Sequence, residues 1–260
     1  RLCVGIDPDA KRLFGERSVL RTANPGLSSQ GLLDAFCSAA VEAASLYACA
    51  VKPQAAFFEA MGIWGYESLS RCMKLARDKG IPVFADALTV NPYLGPDTLE
   101  SFASAAGKAG SGLFILVKTS NPGSGAFQDT LLADGRPLYM KVAQSVIDLG
   151  SSNVGECGYS NIGAVVGATY PEELAVFRKA MPQTVFLVPG YGAQGGTAED
   201  LRGAFNPDGY GAVVSSSRGI IFAHEKLEGP LTMDDIAESM KKAAGRARDD
   251  IRQVTPTPSI

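Results

Sequence analysis

V-F-L-V-P-G-Y-G-A-Q-G-G at residues 185–196, followed by G-A-V-V-S-S-S-R-G-I at residues 211–220, is the stretch that decides the fold of this chain. Each segment is a short apolar run that ends in a small, polar, turn-forming loop, and each loop leads into a helix-like segment. Backbone N–H groups at a glycine-rich loop and a helix N-terminus form a ready anion site. Arg218 adds a planar, permanently charged fork suited to a phosphate. Consecutive strand-to-helix loops of this kind, near the C-terminus of an α/β chain of 260 residues, are the phosphate site of a (β/α)8 barrel. The plainer alternative is that these glycines only make tight turns and that Arg218 is a surface charge.

Working outward, strand-like and helix-like segments alternate along the chain. Strands are expected at Leu2–Asp7, Ala48–Lys52, Val83–Asp86, Leu88–Asn91, Leu113–Thr119, Ile162–Ala168, Val185–Val188 and Ala212–Ser215. Most are continuous apolar runs, as parallel strands buried on both faces require. Leu32, Phe36, Ala40 and Ala43 form one apolar helix face, and Leu69, Met73 and Ala76 another. Asp97 with Glu100, Thr169 with Glu172 and Thr232 with Asp235 resemble capping pairs. A last helix is expected from Asp234 to about Arg252, with Ile236, Met240, Ala243, Ala247 and Ile251 inward, before a frayed tail at Thr255–Ile260. The alternation implies a parallel sheet with helical crossovers, closed as a single (β/α)8 barrel over residues 1–260. One place breaks the rhythm. Only Ala87 separates Val83–Asp86 from Leu88–Asn91, whereas parallel neighbours need a crossover of roughly a dozen residues. A loop and helix are missing from the barrel pattern at that point.

Composition narrows the function classes. A net charge of −3 offers no electrostatic support for nucleic-acid or membrane-surface binding. No apolar run approaches the ~20 residues of a membrane helix. The chain enters a strand at once, with R-L-C-V-G-I-D, so no leader peptide is expected. Its five cysteines are odd in number, scattered and mostly inside apolar runs. They read as reduced core residues of a cytoplasmic protein. With His224 the single histidine, a histidine-based metal site or a Ser-His-Asp triad is not expected. His224 and Trp64 are both read as structural.

Active sites of such barrels gather at the C-terminal strand ends. Those ends carry Asp7, Lys52, Asp86, Asn91, Thr119 with Ser120, the Gly190–Gln194 loop, and Ser217 with Arg218. Two acids and a lysine converge with a phosphate clamp. This pattern supports proton chemistry on a small phosphorylated molecule, without metal or cofactor. Asp7 could instead cap the I-D-P-D turn, and Tyr191 could cover a ligand or only pack. Lys52, set between apolar residues and Pro53, favours a functional or salt-bridged role.

In these residues the chain resembles the orotidine 5′-phosphate decarboxylase family, in its longer bacterial (type 2) subgroup. The matching stretches are V-G-I-D-P-D (4–9), V-K-P-Q-A-A-F-F-E (51–59), V-F-A-D-A (83–87) and L-T-V-N-P-Y-L-G (88–95). They continue with K-T-S-N-P-G (118–123), V-P-G-Y-G-A-Q-G-G (188–196) and S-S-R-G-I (216–220). The resemblance implies decarboxylation of orotidine 5′-monophosphate to uridine 5′-monophosphate, without a cofactor, by a homodimer. Asp7 and Lys52 then hold the ribose hydroxyls, with Lys52 also near the reacting centre. Ser120 reads the pyrimidine edge. Gln194 and Arg218 bind the phosphate, helped by the N–H groups of Ser217 and Arg218. Asp86 stands as the first acid of the family's D-A-K-R-G-D-type motif, facing the substrate carboxylate.

The chain departs from the family at that motif. After Asp86-Ala87 it continues L-T-V-N-P-Y, without the motif's lysine, its second acid or the helix that follows. No residue here matches the family's proton donor. Two other readings stay open at this point. One is a Schiff-base aldolase-type barrel using Lys52 or Lys118 on a sugar phosphate. The other is a nucleotide-binding barrel without catalysis.

Overall fold

The computed structural model describes residues 1–84, 89–192 and 195–257. Contacts divide them into two compact units, one built from the N-terminal third with residues 215–250, the other from the middle of the chain with the C-terminal end.

In the first unit, β1 (Leu2–Ile6) and β2 (Ala50–Pro53) are parallel, with Gly5 opposite Lys52 and Ile6 opposite Pro53. Every residue of β1 is buried, as its unbroken apolar run requires. Val83 bridges Val51 in parallel. Two short helices, α1 (Ala10–Phe14) and α2 (Val19–Ala23), precede the long α3 (Ser29–Tyr47). Ser28 caps α3, accepting from the Gly31 N–H at 3.0 Å. The expected face Leu32, Phe36, Ala40 and Ala43 is fully buried. A short α4 (Ala55–Glu59) leads into α5 (Ile63–Asp78), whose buried stripe differs from the expected one. It is Gly65, Ser68, Cys72 and Ala76, while Leu69 and Met73 are only half-buried. Small residues win because α5 packs tightly: a Cβ on Gly65 would fall 2.0 Å from the Phe58 carbonyl oxygen. Trp64 meets Phe14 edge to face at 5.9 Å.

The second unit carries β3 (Thr89–Val90), β4 (Leu113–Lys118), β5 (Ser160–Val166), β6 (Thr184–Val188) and the start of β7 (Ala212–Ser216), paired in that order and all parallel. Between them lie α6 (Pro96–Lys108), α7 (Gly125–Gln128), α8 (Leu138–Gly150) and α9 (Pro171–Ala180). Strand ends differ from the expected ones by one or two residues. Thr89 and Val90 pair with Phe114 and Ile115 of β4, whereas Val83 pairs with Val51 of β2. The two segments thus pair with different strands, while residues 85–88 between them lie outside the described residues.

Two capping expectations fail. Gly95 caps α6 with Pro96 at its first turn, and Tyr170 caps α9 with Pro171, neither through a side-chain hydrogen bond. Proline already fixes φ and removes one orphan donor, so a capping side chain has less to satisfy. Thr232 with Asp235 does form a reciprocal box, with N···O distances of 2.8 and 3.2 Å. It opens the last helix, α11 (Met233–Val254), in which Ile236, Met240, Ala243, Ala247 and Ile251 are buried as expected. The short α10 (Arg218–Ile221) follows β7. Thr255 is buried and donates to the Ile251 carbonyl, so the expected tail is ordered at its start.

Candidate active site

In the first unit the site is organised around Gly5. Its β-register partner is Lys52, and a Cβ placed on it would lie 1.7 Å from Ser217 Oγ. Lys52 and Ser217 therefore both adjoin one glycine near the C-terminal end of β1. Asp7 follows one residue past β1, beyond the Ile6–Pro53 pair. The turn V-G-I-D-P-D is capped by Asp9, which accepts from the Lys11 and Arg12 N–H groups at 2.9 and 3.0 Å. Asp9 is thus the side-chain cap of α1, while the Asp7 carbonyl accepts from the Asp9 N–H at 2.9 Å. The Lys52 ammonium donates to Gln54 Oε1, a residue of the same V-K-P-Q motif.

Arg218 begins α10 immediately after Ser217. It is exposed, and its side chain makes no ion pair or hydrogen bond among the described residues. A guanidinium in that condition is fully available to an anion. The Ser217 carbonyl accepts from Ile220 and Ile221 at 2.8 and 3.0 Å, so the polypeptide turns into helix directly at the Arg218 N–H.

In the second unit, Ser120 follows β4 and is backed by Gly167 at the end of β5. A Cβ on Gly167 would meet Ser120 Cβ at 2.8 Å. The Gly167 N–H donates to the Lys118 carbonyl at 2.8 Å, tying the two strand ends together. The glycine-rich loop after β6 behaves differently from the expectation. Gly190, Gly192 and Gly195 have φ of 103°, 77° and 95°, so the loop needs glycine for its backbone. The N–H groups of Gly192, Gly195 and Gly196 bond carbonyls within the loop at 2.8–3.1 Å. Those three donors are committed to the turn rather than turned toward an anion. Gln194 and Asp86 lie outside the described residues.

Lys118 is not placed as a Schiff-base nucleophile. It is 0% exposed, its ammonium pairs with Asp129, and it faces the rings of Tyr139 and Tyr170 at 5.0 and 4.7 Å. Asp129 and Gln128, which shape this loop, escaped the sequence reading. They sit at the end of the four-residue α7 and just after it, a segment too short to give a periodic signal. No group of three or more histidine, cysteine, aspartate or glutamate side chains able to hold a metal occurs among the described residues. Among the described residues, no helix is long and apolar enough to cross a membrane.

Comparison with known proteins decides among the open readings. The model of the Orotidine 5′-phosphate decarboxylase / HUMPS family matches residues 84–228. A curated orotidine 5′-phosphate decarboxylase of Rhodopirellula baltica is 40% identical over 90% of this chain and 87% of its own length. The chain belongs to the orotidine 5′-phosphate decarboxylase family. A second member, from Deinococcus radiodurans, is 40% identical over 86% of this chain and 84% of its own. The solved OMP decarboxylase of Leishmania donovani superposes with a TM-score of 0.71 at 28% identity, covering 97% and 92% of the two chains. The fold is accordingly the α/β, (β/α)8 barrel of orotidine 5′-phosphate decarboxylases.

Alignment with the R. baltica decarboxylase runs over 264 positions yet takes in 90% of a 260-residue chain. About 30 positions of that relative thus have no residue opposite them here, roughly the length of one crossover unit.

Proposed function

We infer that this protein decarboxylates orotidine 5′-monophosphate to uridine 5′-monophosphate and carbon dioxide, in de novo pyrimidine biosynthesis. The observation that carries this reading is the convergence on Gly5: Lys52 opposite it, Ser217 against it, and Asp7 and Arg218 adjoining. These are the positions at which family members resembling this chain hold ribose and phosphate.

In this reading Asp7 and Lys52 bind the ribose hydroxyls, and Ser120 hydrogen-bonds the pyrimidine edge. Arg218, Gln194 and the N–H groups of Ser217 and Arg218 hold the phosphate. Phosphate binding far from the reacting carbon supplies energy that is realised in the transition state. Asp86 faces the scissile carboxylate. The bond from carbon 6 to the carboxyl breaks, its electron pair stays on carbon 6, and carbon dioxide leaves. A carboxylate beside Asp86 is disfavoured, and a nearby ammonium stabilises the developing carbanion and then protonates it. Lys52 contributes its charge to that array. The protonating lysine of the family motif has no counterpart after Ala87.

The test follows carbon dioxide release from carboxyl-labelled orotidine 5′-monophosphate. It is run on the chain as it stands and on a chain carrying the relative's segment between Ala87 and Leu88. Turnover that appears or rises with the graft supports the reading and places the proton donor there. Binding of uridine 5′-monophosphate with no turnover in either chain would leave a non-catalytic nucleotide-binding barrel. A covalent adduct trapped by borohydride would instead favour Schiff-base chemistry at Lys52. The same family reading makes the protein a cytoplasmic homodimer of single barrel domains spanning residues 1–260, acting without a cofactor. Sedimentation at assay concentration tests the dimer.

A further inference from the structure

Lys118 is a charged residue that the mechanism does not use. It ends β4, is 0% exposed, and its ammonium is enclosed by Tyr139 and Tyr170. Removing an ammonium from water is costly unless it is paired. Its close partner is the Asp129 carboxylate, about half exposed, while Glu173 Oε2 stands at 3.9 Å. Burial pushes the Glu173 carboxyl above the usual carboxylate range, against the pull of Lys118. Asp129 is therefore the partner that compensates the buried charge.

Asp129 lies eleven residues along the chain from Lys118, at the far end of the loop that carries Ser120. Its carboxylate folds back over Gly125, where a Cβ would meet Oδ2 at 2.7 Å. The preceding residue, Gln128, closes the loop a second time. Its Oε1 accepts from the Thr119 N–H at 3.0 Å, and its Nε2 donates to Thr119 Oγ1 at 2.9 Å. Thr119 in turn donates to Asn121 Oδ1 at 2.7 Å. Thr119, on one side of Ser120, is thus held from the distal end of the loop, and Asn121, on the other, is tied to Thr119. The Lys118–Asp129 pair can form only when that end is docked against β4.

We propose that Lys118, Asp129 and Gln128 are positioning residues for base recognition: the buried ammonium docks the loop end, and the docked loop sets Ser120. This rests on the reading that Ser120 contacts the pyrimidine. A buried ion pair is a poor source of stability compared with apolar packing. Its charge here is used to fix one loop geometry, and the effect belongs to the base and not to the sugar phosphate.

The experiment compares binding of uridine 5′-monophosphate with that of ribose 5-phosphate, which lacks the base. The variants are Asp129→Asn, the charge-free double variant Lys118→Met/Asp129→Asn, Lys118→Arg and Ser120→Ala. The double variant removes both charges of the pair, leaving Glu173 Oε2 as the one carboxylate that loses a nearby cation, and melting temperature is recorded for each. Expected is a loss of about tenfold for uridine 5′-monophosphate in Asp129→Asn and in the double variant, the size of a displaced hydrogen bond. Ribose 5-phosphate affinity stays unchanged, and Lys118→Arg, which keeps the pair, retains most of the nucleotide affinity. Equal losses for both ligands, or none in the double variant, would overturn the proposal while leaving the Ser120 reading intact. Unchanged nucleotide binding in Ser120→Ala would remove the base-contact reading itself.

Discussion

Gly5 of β1 and Ser217 at the end of β7 approach so closely that a Cβ on Gly5 would stand 1.7 Å from Ser217 Oγ and 2.8 Å from Ser217 Cβ. The glycine is there because no other residue leaves room for the serine. Gly5→Ala should displace Ser217 and, with it, the start of α10. We expect a folded protein destabilised by about 1–3 kcal/mol, in the range of overpacking. Its affinity for uridine 5′-monophosphate should fall more than its affinity for uridine. Calorimetric titration of both ligands checks this, and a variant that binds uridine 5′-monophosphate normally would remove Ser217 from the phosphate site.

The Arg218 side chain is exposed and makes no ion pair or hydrogen bond among the described residues. Arg218→Ala therefore breaks nothing within the protein and should leave its melting temperature unchanged. Loss of a charged, forked contact should weaken uridine 5′-monophosphate by roughly 2–3 kcal/mol and uridine hardly at all. Equal losses for the two ligands would show that Arg218 does not hold the phosphate.

Asp86 tests the catalytic assignment. In a chain that turns over, Asp86→Asn should cut the decarboxylation rate by orders of magnitude and leave binding of uridine 5′-monophosphate in place. The lost effect belongs to the reacting carboxylate, which the product lacks. Near-normal turnover would assign Asp86 to another part of the barrel.

His224 supplies a pH dependence of stability. It is 2% exposed and its Nδ1 has no hydrogen-bond partner. Burial holds its imidazole below the ordinary range, the Arg12 charge adds to this, and Glu225 opposes it. The unfolded chain takes up a proton near pH 6.5, and the folded chain takes it up only at lower pH. In that window the unfolded state binds more protons, so stability is present above it and falls as pH drops. The melting temperature should decline as pH falls through and below about 6.5, and less steeply in His224→Gln. Parallel curves for the two proteins would count against this account.

The sequence by itself determined the order of strands, because continuous apolar runs between turn residues have few other uses in a chain of this length. It also carries the proposed placement of the chemistry, since Asp7, Lys52, Ser120 and Arg218 each stand at the end of such a run. The Thr232–Asp235 box was legible because both partners are local. Only the tertiary structure decided the rest. The buried stripe of α5 follows backbone contact at Gly65, which periodicity cannot see. The donors of the glycine loop turn inward because three positive-φ glycines fold it onto itself. Lys118, with Lys52 a candidate of the Schiff-base alternative, is enclosed by Asp129, Tyr139 and Tyr170. A side chain's charge is written in the sequence, but its partner is chosen by residues that the fold brings from elsewhere. The chemistry open to that side chain depends on the partner as much as on the charge.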